Sequence, residues 1–267
     1  MSQSIVHISD AQLVLALLFI ALAAAASLFY RLRLERDLFL GTLRTFVQLF
    51  VMGYALTFIF DFRNPLLVFA VYAVMISFAA WIVRGRIKEK AVSYFPPTLF
   101  SMLVSYTVVT ALVTGVVIRS DPWWSPQYFI PIGGMVVGNS MNAIALTLER
   151  LFSELRTRRD EVEMKLSLGA DYREASQDTF RNAMKAGMIP SINSMMGVGI
   201  VFIPGMMTGQ ILAGADPLVS IRYQIVVMLM LVGSTAISSF IVTVFVRQRC
   251  FGRAHELLLP PRSKNLS

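Results

Sequence analysis

The chain has 267 residues, of which 56% are hydrophobic and only 15% are charged, and its mean hydropathy is +0.64. Soluble domains carry about 25% charged residues, so this composition excludes an ordinary soluble fold. Its 19 Phe and 15 Met residues, together with the low charge, also exclude a disordered chain. The net charge of +8 fits either nucleic-acid binding or a membrane protein, and the positions of the charges decide between them.

Seven stretches contain almost no charge, and each has the roughly 20 residues that a membrane-spanning helix needs. Arg44 is the only charged residue within any of them. The sequence therefore predicts an all-α fold, a polytopic bundle of about seven transmembrane helices that forms a single domain over residues 1–267. The predicted spans cover about 11–30, 38–60, 64–83, 97–118, 128–148, 186–214 and 223–246.

The basic residues indicate how these spans are oriented. Four connecting segments, 31–37, 84–90, 149–185 and 247–267, together hold 20 of the 24 Lys and Arg residues. The alternate segments hold only Arg63, Arg119 and Arg222. Cytoplasmic loops carry an excess of Lys and Arg, so we expect the N-terminus outside and the C-terminus inside a cytoplasmic (inner) membrane. The positive net charge is thus explained by the orientation of the protein in the lipid bilayer, and we expect no nucleic-acid partner.

The first span could instead be a cleaved signal peptide, because small residues follow its apolar core. No Lys or Arg precedes this span, whereas Arg31, Arg33 and Arg36 follow it. That order is the reverse of a signal peptide, and it favours a retained first helix.

Segment 149–185 is the one long polar stretch, and it predicts a cytoplasmic helix-turn-helix between spans five and six. Glu154 with Arg158 and Glu161 with Lys165 are i,i+4 pairs in the favourable order. Gly169 then breaks the pattern, and a second helix follows it, since Asp171 and Glu174 have the spacing of a capping box. Apolar residues recur at helical spacing before the glycine, at Leu148, Leu151, Phe152, Leu155, Val162 and Leu166.

Two interpretations of this segment remain open. It could be a solvated connector whose charges only fix the topology. Alternatively, Leu166, Leu168 and Ala170 around Gly169 form an apolar knob on a rigid turn, which is typical of a docking surface.

The segment resembles the EAA loop of ABC transporter permeases, in which a Glu and a Gly six residues apart, here Glu163 and Gly169, belong to a helix-turn-helix. The loop of ABC importers reaches its proline sooner than Pro190 does here. A closer resemblance is to the iron export permease (FetB) family. It rests on Arg44-x3-Gln48-Leu49, Ile130-Pro-Ile-Gly-Gly-Met-Val-Val-Gly-Asn139-Ser-Met, Lys165-Leu-Ser-Leu-Gly-Ala170, Ile203-Pro-Gly-Met-Met-Thr-Gly209, Gly214-Ala-Asp-Pro217 and Ile221-Arg-Tyr-Gln224.

This resemblance implies a permease subunit that works with a separate ABC ATPase, as a homodimer, and exports iron. The sequence has no Gly-x4-Gly-Lys-Ser/Thr phosphate loop, so we expect no cofactor on this chain, with ATP and Mg bound by the partner. The expected ATPase-coupling residues are Glu163, Lys165, Leu166, Ser167, Leu168, Gly169, Ala170 and Asp171. An ATP-independent carrier or channel is the alternative, whereas an enzyme ranks last because the spans offer no evident nucleophile or general base.

Polar residues within the spans are candidates for the translocation pathway. Those predicted are Arg44, Gln48, Asn139, Asn142, Asn193, Ser194, Met206 and Met207. Each has a structural alternative, because a long Arg reaches the interface, amides join helices and Met fills apolar gaps.

Span six is the most irregular, and Pro190, Pro204 and Gly205 are predicted to break its helix. Two Gly-x3-Gly pairs, at 134 and 138 and at 205 and 209, are candidates for close helix packing. Cys250 with His7 and His255 cannot build a His/Cys metal cluster, and the spans hold no carboxylate. The metal ligands therefore stay unknown, and we expect any ion to be held by amides and carbonyls or carried as a complex.

Overall fold

The computed structural model describes residues 8–62, 64–87, 89–252 and 254–261. His7 and Arg63, named above, lie outside these residues. The described residues form ten α-helices, and a π-helical segment, Val113–Val117, continues the fourth. The helices are α1 (Asp10–Phe29), α2 (Glu35–Phe62), α3 (Pro65–Arg86), α4 (Phe95–Leu112), α5 (Pro126–Thr157), α6 (Arg159–Ser167), α7 (Tyr172–Ala175), α8 (Gln177–Gly197), α9 (Gly205–Leu212) and α10 (Pro217–Arg249).

Proline and capping residues define where several of the long helices begin. Pro65, Pro126 and Pro217 each occupy the first turn, where a missing N–H costs little. The Asp216 carboxylate accepts hydrogen bonds from the backbone N–H groups of Leu218 and Val219, at 2.9 and 3.1 Å. Such caps satisfy donors that have no partner within the helix.

The long helix α5 is the centre of the bundle and packs against α3, α4, α8 and α10. Its buried face carries large apolar side chains, among them Phe129, Ile144 and Leu148. In contrast, α1 packs mainly against α2, and both helices leave most of their apolar surface exposed. The α1–α2 hairpin is therefore peripheral to the core of a single chain.

Six described helices are long and apolar enough to cross a membrane, and they coincide with six of the seven predicted spans. The span predicted over 186–214, with breaks at Pro190 and at Pro204 and Gly205, is divided between two helices. The helix α8 ends at Gly197, residues 198–204 are irregular, and α9 begins at Gly205. Gly199 has φ of +82°, in the left-handed region, and Pro204 is the N-cap of α9, so the two residues separate the helices.

The prediction of a break at Pro190 is wrong. Pro190 lies inside α8, which continues to Gly197. Pro190 is on the exposed side of the helix, while the neighbouring Ser191 is buried against the bundle. Packing of the flanking residues holds the helix despite the missing N–H of the proline.

The polar segment is more divided than the sequence predicts. Arg158 ends α5, with φ of −101° and ψ of 24°, and α6 begins at the next residue. After the turn, α7 has only four residues before Ser176 interrupts it and α8 begins. The apolar stripe predicted as one helix from Leu148 to Leu166 therefore belongs to two helices.

Candidate functional site

The turn between α6 and α7 presents one apolar side chain to solvent. Gly169 adopts φ of +94°, which a glycine allows without strain. The Ala170 N–H donates to the Lys165 carbonyl at 3.1 Å and closes the end of α6. Leu168, at the tip, is 81% exposed, whereas Leu166 packs against the core. The turn is therefore a tight structure with Leu168 as its projecting residue.

The capping box predicted after the turn is confirmed. The Asp171 carboxylate accepts from the Glu174 N–H at 2.7 Å, and the Glu174 carboxylate accepts from the Asp171 N–H at 3.2 Å. The hydrogen bond from the Glu174 backbone N–H holds the pKa of the Asp171 carboxyl below its usual value. The capping box thus defines the start of α7.

Ion pairs connect α6 to its neighbours. Lys165 Nζ lies 2.8 Å from Glu161 and 3.4 Å from Asp178 of α8, so one ammonium joins the two sides of the turn. Arg158 lies 2.8 Å from Glu161 and 3.8 Å from Glu154. The two predicted i,i+4 pairs are therefore confirmed. Hydrogen bonds from Lys165 and Arg158 lower the pKa of Glu161.

The chain that follows α10 packs beneath this turn. Leu257 and Leu259 are buried there, and Arg159 of α6 donates a hydrogen bond to the Leu259 carbonyl. The Tyr172 ring stacks on His255, with 5.6 Å between ring centroids, and lies 5.7 Å from Phe251. We call residues 250–252 and 254–261 the C-terminal brace. It fixes the turn to the end of α10, a contact that the sequence did not predict.

All eight residues predicted to couple to an ATPase lie along the end of α6 and the turn. Within α6, the Ser167 hydroxyl donates a hydrogen bond of 2.9 Å to the backbone carbonyl of Glu163, so two of the eight residues are in direct contact. Ala170 is half-buried against the core. The exposed set is thus centred on Leu168 and the polar residues beside it.

A second group of polar residues joins three helices inside the bundle. The Asn139 amide of α5 donates to Ser191 of α8 at 3.1 Å and to Thr235 of α10 at 3.2 Å. Ser140 and Ser234 share a hydrogen bond of 3.0 Å beside them. Asn139 therefore acts as a link between helices, one of the two roles that the sequence left open.

The other residues predicted for the pathway are not gathered around Asn139. Arg44 and Gln48 are exposed on α2, and the structure joins them to no other described side chain. Asn142 is exposed and accepts a hydrogen bond of 2.7 Å from Arg86. Asn193 and Ser194 are exposed near the end of α8.

The break between α8 and α9 borders a cavity of about 380 Å³ against α10. Met207 lines this cavity, and Met206 packs against the core nearby. Gln224 lines it as well, is 6% exposed, and its carbonyl oxygen is buried with no described hydrogen-bond partner. The other lining residues are Met195, Val198, Gly199, Ile203, Pro204, Ile221, Ile225, Met228 and Leu229. The cavity is therefore mainly apolar, and the buried Gln224 oxygen is a side-chain acceptor without a partner among the described residues.

Close helix packing occurs at glycines other than those predicted. A Cβ on Gly187 would collide with Thr147, and a Cβ on Gly133 would collide with the Tyr72 ring. Gly138, Gly205 and Gly209 have no such neighbour within 4 Å, and Gly134 meets only a Met75 methyl group. A Gly-x3-Gly spacing alone did not identify the contact between α5 and α8.

Several residues of these sites were missed from the sequence. Ser234, Thr235, Ser238, Ser239 and Thr243 form a small polar stripe on α10, whose helical spacing is a signal for an interhelical face. Tyr172 and His255 carried no such signal, because their contact joins distant parts of the chain.

Among the described residues, no three His, Cys, Asp or Glu side chains lie close enough together to hold a metal ion. The six long apolar helices and the polar links within their bundle define a multi-pass α-helical membrane protein. The chain belongs to the family described as "Uncharacterised protein family (UPF0014)", which it matches over residues 10–251.

Three relatives place the chain within this family. It is 39% identical to UPF0014 membrane protein slr1647 of Synechocystis over 81% of this chain and 83% of the relative. It is 35% identical to UPF0014 membrane protein YjkA of Bacillus subtilis, over 89% and 93%. It is 32% identical to Probable iron export permease protein FetB of Escherichia coli, over 97% and 98%. No solved structure matches the chain.

Proposed function

We propose that this chain is the permease subunit of an ATP-driven ABC transporter that exports a metal, with iron as the cargo to test first. The name of the Escherichia coli relative, aligned over 97% of this chain, supports the permease role and the choice of iron. The chain supplies the membrane passage and a partner ATPase hydrolyses ATP with Mg, so no enzymatic step is assigned to these residues.

The observation that carries this proposal is the geometry around Leu168. Leu168 is 81% exposed at the tip of a glycine turn, where its apolar side chain is available to pack against another protein. The turn is held by the Asp171 cap and by the ion pair from Lys165 to Asp178. A rigid base under an exposed apolar tip suits a protein that must transmit force. We therefore assign residues 163–171 to ATPase docking.

The proposed topology has seven crossings, with the N-terminus outside and the C-terminus inside. The six long apolar helices supply six of them, and α8, residues 198–204 and α9 together supply the sixth in chain order. Irregular backbone is tolerated at membrane depth where it lines a cavity, and this break lies beside the 380 Å³ cavity. The basic segments at 31–37, 84–90, 149–185 and 247–267 then all face inward.

The same break is where we place the translocation pathway. Transporters often bind cargo at broken helices, where unwound carbonyls are free. Met207 and the unpartnered Gln224 carbonyl offer a thioether and an amide oxygen at this point. Asn193 and Ser194 lie just before it.

Arg44, Gln48 and Asn142 would mark a second part of the route, at the exposed faces of α2 and α5. A pathway there requires a second copy of the chain, which is the homodimer that we propose.

Co-purification with candidate ABC ATPase subunits from the same organism tests this function. The variant Leu168→Asp places a charge on the exposed tip without disturbing a buried contact. Leu218→Asp is a matched control, because Leu218 is 70% exposed at the other end of the bundle, in the segment 215–222 between two predicted spans. We expect the parent and Leu218→Asp to retain an ATPase, and Leu168→Asp to lose it.

Retention of an ATPase by all three proteins, or by none, would count against docking at this turn. If none retains an ATPase while purified protein in vesicles still moves Fe²⁺, the ATP-independent carrier or channel is favoured. Vesicles that hold Fe²⁺ inside or outside, with and without ATP, distinguish these outcomes.

A further inference from the structure

A basic pocket lies beside the connection between α3 and α4, at the end of the bundle that carries α6 and α7. Its volume is about 1050 Å³, and Arg84, Lys90, Phe95 and Pro96 are among the residues that line it. Both cations are exposed, and neither forms an ion pair with a carboxylate in the described part of the chain. The pocket therefore combines unmatched positive charge with an apolar wall.

The carboxylate in this pocket is already occupied. One oxygen of Glu89 accepts from the backbone N–H groups of Lys90 and Ala91, at 2.9 and 2.8 Å. Its other oxygen pairs with Arg156 of α5. Glu89 thus stabilises the loop and does not neutralise Arg84 or Lys90. These two cations are therefore available to bind an external anion.

An exposed apolar stripe on α3 leads directly to the pocket. Val74, Phe78 and Trp81 recur at helical spacing and are 54%, 61% and 60% exposed. Arg84 follows one turn later, and its guanidinium lies over the Phe95 ring at 5.5 Å from the centroid. Trp is enriched where the hydrocarbon of a bilayer meets its headgroups. Trp81 therefore indicates that Arg84 lies at headgroup depth.

We propose that this pocket binds the phosphate of an anionic phospholipid, with its acyl chains along Val74, Phe78 and Trp81. Arg84 and Lys90 contact the phosphate, and the guanidinium fork suits two of its oxygens. Basic pockets between transmembrane helices are known binding places for anionic headgroups. Free phosphate shares this charge chemistry, but it makes no use of the apolar stripe. This site does not depend on the proposed transport function.

Fluorescence of Trp81 provides a local readout. The chain has three Trp residues, and the double substitution Trp123→Phe/Trp124→Phe leaves only Trp81. This protein is reconstituted into phosphatidylcholine vesicles that contain either brominated phosphatidylglycerol or brominated phosphatidylcholine at equal mole fraction. Bromine quenches tryptophan on contact, so the ratio of quenching reports which lipid occupies the site.

We expect about tenfold preference for phosphatidylglycerol at Trp81, since each basic group near the surface adds to the attraction. Adding Arg84→Gln/Lys90→Gln should bring the ratio close to one. The control Arg119→Gln/Arg222→Gln removes the same charge from the opposite end and should keep the preference. Equal melting temperatures for both double variants exclude misfolding as the cause.

Three results would overturn the proposal. One is equal quenching by the two lipids, and another is an unchanged preference in the Arg84→Gln/Lys90→Gln protein. The third is loss of the preference when millimolar inorganic phosphate is added, which would assign the pocket to a free anion. If the second result is accompanied by loss of ATPase binding in the same double variant, the surface belongs to the partner protein.

Discussion

The backbone N–H of Tyr172 donates a hydrogen bond of 3.3 Å to Nδ1 of His255, 83 residues further along the chain. The rings of Tyr172 and His255 also stack on each other, with 5.6 Å between their centroids. This pair joins the proposed docking turn to the C-terminal brace, which follows α10 directly. A force applied at Leu168 would therefore reach α8 through the chain and α10 through the brace.

Loosening the brace should expose the backbone of the turn. Leu259 is 1% exposed, and Leu259→Ala removes buried apolar contacts at a cost of about 2 kcal/mol. We expect amide hydrogen exchange in α6 and α7 to accelerate about 30-fold, provided that these helices open with the brace. The adjacent Leu258 is 48% exposed, so Leu258→Ala is the matched control and should leave exchange unchanged. Equal exchange rates in the two variants would mean that the brace does not support the turn.

Acid should loosen α6. Hydrogen bonds from Lys165 and Arg158 lower the pKa of Glu161 in the folded protein. A lowered folded-state pKa means that this contribution is complete at neutral pH and is lost as the pH falls through the folded value. We expect the amide protection factors of α6 to decrease as the pH is lowered from 7 to below the usual pKa of Glu. Glu161→Gln should lower protection at neutral pH and reduce the pH dependence; an unchanged pH profile in this variant would contradict the assignment.

Substitution of Gly187 by alanine should destabilise the protein, although alanine is the better helix former. The added Cβ of Gly187→Ala would collide with Thr147 and lie 2.9 Å from the Ala143 carbonyl oxygen. Overpacking of this kind costs about 1–3 kcal/mol. In Gly138→Ala the methyl group meets nothing within 4 Å, so this control should be neutral or stabilising by up to about 1 kcal/mol. Unfolding midpoints in detergent test this, and equal midpoints would show that α5 and α8 adjust freely.

The Asn139 amide should couple energetically to α8. A double-mutant cycle with Asn139→Ala and Ser191→Ala isolates the 3.1 Å hydrogen bond between them. Interhelical hydrogen bonds in membranes average about 0.6 kcal/mol, with a maximum near 1.7, and we expect a coupling in that range. Because Asn139 also donates to Thr235, and Ser191 shares a hydrogen bond of 3.3 Å with Thr235, each single substitution should cost more than the coupling. A coupling of zero would return Asn139 to the list of pathway residues.

The sequence predicted features that depend on neighbouring residues. Charge-free stretches gave six helices at the expected places, because a long apolar helix is specified by local composition. The capping box at Asp171 and the ion pair between Glu161 and Lys165 followed from spacings of three and four residues.

Features that depend on distant residues could not be predicted. The prolines and glycines of 186–214 predicted a broken helix, but they did not show that the helix continues past Pro190 or that residues 198–204 are irregular. The close approach at Gly187 depends on Thr147 lying opposite, and the brace depends on His255 meeting Tyr172. These contacts exist only once the bundle has formed.

The single cysteine allows a direct test of docking. Burial raises the pKa of the Cys250 thiol to about 12, so it should not react with a maleimide at neutral pH. Leu168→Cys places an accessible thiol at the tip of the turn, and it should react rapidly while the parent protein does not. Leu218→Cys provides a control thiol at the opposite end of the bundle, in the segment 215–222, where Leu218 is 70% exposed.

The central claim is that the turn at Leu168 docks an ATPase, and the maleimide labelling rate of Leu168→Cys with and without that subunit tests it most directly. We predict that the ATPase slows labelling of Leu168→Cys several-fold and leaves Leu218→Cys unchanged. An ATPase that binds the protein yet leaves the labelling rate of Leu168→Cys unaltered would contradict docking at this turn.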